Sequence, residues 1–63
     1  MCLSKAYLTR NGEKELIMED VSSVRVGADR VLLSTLFGDR EEVKAEIKEI
    51  DFMTHSILLE ETA

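Results

Sequence analysis

The sequence predicts an all-β fold, a small closed or nearly closed barrel of five to six short strands. Three observations carry that expectation. Short runs of alternating or β-branched apolar residues recur along the chain, turn signals separate them, and 63 residues leave room for only one core. There is no proline, low-complexity linker or internal repeat, so residues 1–63 are read as a single domain.

The first strand is expected over 2–9, where Ser4, Ala6 and Leu8 alternate with Leu3, Lys5 and Tyr7. Asn11-Gly12 supplies the two residues that best tolerate positive φ in a tight hairpin, so the second strand, 14–19, folds back on the first. Leu16 and Met18 share one face of it. Asp20 then interrupts, and Val21, Val24 and Val26 form a third strand.

Gly27-Ala28-Asp29 is a second turn, leading into 30–37. In that strand Val31, Leu33 and Thr35 oppose Leu32, Ser34 and Leu36, which makes both faces apolar. One small core covers one face only, so the other is expected to meet a second copy of the chain. A homodimer is the expectation.

Local and global signals conflict over 39–49. Asp39 and Glu42 have capping-box spacing, and Val43, Ile47 and Ile50 recur at helical intervals. Ile47, Ile50 and Phe52 followed by Ile57 and Leu59 also fit two strands about a Met53-Thr54-His55-Ser56 turn, with a bulge near Lys48 and Glu49. The reading adopted is a short helical turn at residues 39–44 followed by a C-terminal hairpin, giving a barrel of the SH3-like kind. An α+β arrangement with one helix over 39–50 is the competing architecture.

Composition narrows the function. Net charge is −5, which disfavours phosphate backbones and anionic membranes and favours cations. No apolar run approaches the roughly 20 residues of a membrane span, and no leader pattern is present. A cytoplasmic protein is expected, and a lone cysteine without a disulfide framework agrees with a reducing compartment.

Cys2 is the residue whose type and position together suggest chemistry. Removal of Met1 would leave an α-amine and a thiol on one residue, a pair that closes a five-membered chelate ring. Nitrogen and sulfur donors of that kind suit ions that accept square-planar geometry, Ni(II) among them. Two Cys2 residues side by side in a dimer would complete an N2S2 set. With Met1 retained, its amine, the Cys2 amide and the thiolate offer a different donor set. The competing reading is an inert small apolar side chain.

The remaining candidates read as structural. His55, the one histidine, falls in a predicted turn as a ligand or a surface group. Met18 and Met53 are expected to fill core. The acidic residues Asp39, Glu41, Glu42, Glu46, Glu49, Glu60 and Glu61 form a solvated face without calcium-loop spacing. Lys5, Arg10, Lys14, Arg25 and Arg30 are the residues that a basic, nucleic-acid-binding patch would use. No catalytic constellation is present, so no enzyme is expected.

The chain resembles the CooT family, small nickel-binding proteins associated with maturation of nickel carbon monoxide dehydrogenase. The resemblance runs through Met1-Cys2-Leu3-Ser4-Lys5-Ala6-Tyr7-Leu8, Met18-Glu19-Asp20-Val21, Leu33-Ser34-Thr35-Leu36-Phe37-Gly38-Asp39, Ile50-Asp51-Phe52 and His55-Ser56-Ile57-Leu58-Leu59-Glu60. It implies a β-barrel homodimer that binds Ni(II) at its interface through Cys2 of each chain. It also implies a metallochaperone role, delivering or storing nickel for a client enzyme such as carbon monoxide dehydrogenase. A small RNA-binding barrel and a ligand-free adaptor are the alternatives.

Overall fold

The computed structural model describes residues 3–62. Six strands form one sheet: β1 (Ser4–Arg10), β2 (Glu13–Val26), β3 (Val31–Thr35), β4 (Arg40–Val43), β5 (Ala45–Asp51) and β6 (Ser56–Glu61). Their spatial order is β4-β3-β2-β1-β6-β5. Every pairing is antiparallel except β1 with β6, which run parallel.

The β1–β2 hairpin turns at Asn11 and Gly12, with φ of 53° and 79°. Two successive positive φ values match the twist of the flanking strands, which is why these residue types sit there. Beyond the hairpin the sequence reading needs correction. The expected second and third strands are one continuous β2, and Asp20 bends it rather than ending it. Asp20 has φ 58°, and three steps from Met18 to Val21 oppose two from Ala6 to Ser4. A further shift follows between Val21 and Ser23. Extra residues on one strand sharpen its twist and bend, so the second half of β2 carries β3 and β4 over the β1–β6–β5 layer.

A third irregularity lies at Ile17, where Tyr7 faces Leu16 but Ala6 faces Met18. Leu16 and Met18 therefore do not share a face: Leu16 is 44% exposed, while Ile17 and Met18 pack against the core.

The expected helical turn at residues 39–44 is absent; that segment is β4 and its exit. Capping spacing and helix formers lose because Val31 faces Val43, and the ladder runs on through Leu32–Glu42 and Leu33–Glu41 to Ser34–Arg40. Ladder hydrogen bonds to an existing strand outweigh a local propensity of a few tenths of a kcal/mol per residue. The bulge expected near Lys48 is present, between Ile47 and Glu49.

β4 and β5 are the two outer edges of the sheet, yet a single residue, Lys44, joins them. That connection is possible only if the sheet curls until its edges meet at one corner. There Thr62 N–H donates to the Lys44 carbonyl (3.1 Å), and β3 comes against β5. The result is a barrel open between its edges rather than a sealed one. Inside it are Ala6, Leu8, Val21, Val31, Leu33, Ala45, Ile57 and Leu59, and no polar side chain is buried among the described residues. At about 1.5–3 kcal/mol for each large aliphatic group removed from water, this short list is what opposes chain entropy.

Candidate functional site

The register places the start of β1 at one rung of the ladder. Thr35 faces Val21 and Val21 faces Ser4; one residue on, Lys5 faces Ser56 and Ser56 faces Asp51. Two loops leave the sheet from that rung, residues 36–39 between β3 and β4 and residues 52–55 between β5 and β6.

Both loops are held rigidly. The Thr35 hydroxyl accepts from the amides of Phe37 (3.2 Å) and Asp39 (3.1 Å), and Gly38 takes the φ of 97° that completes the turn. Asp51 Oδ1 accepts from the amides of Met53 (2.8 Å) and Thr54 (3.3 Å), as short acidic side chains do at turn starts. His55 follows with φ 54°, and its carbonyl accepts from Lys5 N–H at 2.9 Å.

With their polar groups engaged, the loops present apolar ones. Phe37 is 73% exposed, Phe52 82% and Met53 91%, with Leu36 and Ile50 about half exposed. These are five of the seven large apolar residues exposed among those described, so solvent-facing hydrophobicity concentrates where β1 begins. An apolar groove bounded by Ser4, Val21, Ile50, Phe52, His55 and Ile57 lies beside them.

Two expectations change accordingly. Met53 does not fill core, although Met18 does pack against it. The second apolar face expected on β3 is modest, with Leu32 half-buried and Leu36 carried into the loop. The loop residues were missed because turns are usually polar. The signal was nonetheless present: Leu36-Phe37 and Phe52-Met53 are apolar doublets at turn positions, where Gly, Asn, Asp and Ser normally stand.

Cys2 lies outside the described residues, two positions before Ser4. Among the described residues no group of three His, Cys, Asp or Glu side chains is placed to hold a metal ion. His55 is exposed and lines the groove with Ser4.

The basic residues do not assemble into one patch. Arg10 pairs with Glu61 (3.0 Å) and Glu15 (3.9 Å), and Arg30 with Asp29 (3.2 Å) and Glu42 (3.4 Å). The hydrogen bond to Asp29, then Glu42, raises the Arg30 pKa further above its ordinary value. Lys14 instead sits over the Tyr7 ring, 4.6 Å from its centre. No helix among the described residues is long and apolar enough to cross a membrane.

Known proteins resemble this chain in architecture or in sequence. A protein of Carboxydothermus hydrogenoformans assigned to CooT has a crystal structure that matches with a TM-score of 0.87 and 32% identity, over 98% of this chain and 100% of that one. An uncharacterized protein of Methanocaldococcus jannaschii is 43% identical over 60 residues, 95% of this chain and 98% of its own length. The family model for the CO dehydrogenase accessory protein CooT matches residues 1–60, and the chain belongs to that family.

Proposed function

We propose that this protein binds Ni(II) as a homodimer, through the Cys2 thiolate of each chain, and delivers it to or stores it for a carbon monoxide dehydrogenase or a similar nickel enzyme. One observation carries the reading: the exposed apolar side chains gather at the rung where β1 begins. A second copy covering that surface removes the apolar groups from water, and a core this small gains most from such burial.

Covalent connection does the rest. The two residues from Ser4 to Cys2 span at most about 7 Å, so a dimer joined at this surface brings the two Cys2 residues toward each other. Two thiolates with adjacent backbone nitrogens match the soft and borderline donors that Ni(II) accepts in a plane. The accessory role of the family supports nickel as the cargo, and an acidic chain attracts rather than repels a divalent cation. His55, whose imidazole lines the groove together with Ser4, would accept the ion during transfer.

Calorimetric titration of Ni(II) into the untagged protein and into Cys2→Ser tests the assignment. Binding in the native protein and its loss in the variant are expected. Equal affinity in both would remove the cysteine from the site.

A further inference from the structure

On the outer face of the β2–β3–β4 layer, next to the loop between β3 and β4, lies a polar concavity bounded by Ser23, Arg25, Leu32, Ser34 and Arg40, with Gly38 at its rim. The register explains its shape. Arg25 faces Leu32, Ser23 faces Ser34, and Ser34 faces Arg40. Residues two apart on a strand share a face, so these side chains all stand opposite the core-facing Val31 and Leu33. The two arginines rise from the strands on either side of β3, offset by two residues along it and so about 12 Å apart at the backbone, and their long arms can converge over Ser34.

The charge around them is unusual for this chain. The molecule has 13 acidic residues against eight basic ones, and two of its four arginines, Arg10 and Arg30, are tied to carboxylates. Arg25 and Arg40 make no ion pair among the described residues. Glu42 stands in the next row across from Leu32, but Arg30 engages it at 3.4 Å. Two forked guanidinium groups therefore face the same concavity with no carboxylate lining it.

Hydroxyl groups complete the arrangement. Ser22 donates to the Ser34 carbonyl (3.3 Å), and Thr35 is occupied by the loop amides. The side chains of Ser23 and Ser34 make no hydrogen bond among the described residues, which leaves both free to donate.

The geometry points to a binding site for a phosphate-class oxyanion, gripped by Arg25 and Arg40 with Ser23 and Ser34 donating to its remaining oxygens. Guanidinium forks match tetrahedral oxyanions in bidentate fashion, and such charge-assisted bonds are about twice as strong as neutral ones. The shared chemistry is a phosphoryl group, free or carried by a small molecule.

The test is a titration of the isotope-labelled full chain followed by amide resonances, with inorganic phosphate and with adenosine monophosphate, against chloride at matched ionic strength. Saturable shifts confined to Ser22, Ser23, Arg25, Ser34 and Arg40 are expected. They should weaken at least about tenfold in Arg25→Gln/Arg40→Gln, while the melting temperature of that variant, changed only at exposed positions, stays near the native value. Tighter binding of the nucleotide would identify a carried phosphoryl group as the ligand, and equal binding the free ion. Shifts no larger than those with chloride, or shifts unchanged in the variant, would overturn the site.

Discussion

The two ends of the sheet solve the problem of facing water in opposite ways. Where β1 begins, Leu36, Phe37, Ile50, Phe52 and Met53 are left in solvent. Where it ends, Arg10 bridges Glu61 and Glu15, Lys48 bridges Glu60, and Arg30 bridges Asp29 and Glu42 close to Thr62, whose hydroxyl reaches the Asp29 carbonyl. All five ion pairs among the described residues belong to this second half. The charged end is covered by paired charges, whereas the apolar end leaves its large side chains uncovered, and it is this end that the proposed dimer would join. Rigid turns sharpen the contrast, because Thr35 and Asp51 spend their polar atoms on backbone amides and leave the aromatic rings outermost.

The contrast can be broken most directly at the aromatic residues. Phe37→Ser with Phe52→Ser should convert a dimer into a species of about 7.1 kDa by light scattering, with little change in the unfolding of the isolated chain, since both rings are exposed. A dimer that survives both changes would move the interface elsewhere.

Leu59→Ala or Leu33→Ala, in the core shared by both ends, should cost about 2–5 kcal/mol in denaturant unfolding, enough to unfold much of a domain of this size. Each is fully buried, so both losses should fall in that range, and a difference between them reports how far each site collapses around the cavity.

Acidification probes the proposed nickel site. A thiol must lose its proton to coordinate, so below a thiol pKa near 8.5 affinity should fall about tenfold per pH unit for each proton released. Nickel affinity that stays flat between neutral and mildly acidic pH would argue against thiolate ligation.

The smallest effect belongs to the charged end. Arg10→Ala should cost no more than about 1 kcal/mol, since its partners are solvent-exposed and screened, and added salt should shrink the difference further. A larger loss would mean that this end, too, is structural.

Much of this fold was legible in the chain. Asn11-Gly12 announced its hairpin, and the alternation through Ala6 and Leu8 announced the buried face of β1. The bulge near Lys48 followed from two apolar runs that fit one face only if a residue is skipped. What could not be read was set by pairing at a distance. Residues 39–44 carry helix-forming side chains, and only β3, already in place, turns them into a strand. Asp20 looked like a break, since positive φ at a strand end and at a bulge leave the same trace in sequence. The apolar doublets of the two loops were visible, but their meeting at one rung depends on the register of four strands. Cys2, the residue on which the sequence reading of function rests, lies outside the described residues.

Native mass spectrometry of the nickel-loaded protein tests the central claim most directly. The account predicts a species of two chains with one nickel ion, absent from Cys2→Ser. One ion on a single chain, or a nickel-loaded Cys2→Ser dimer, would contradict it.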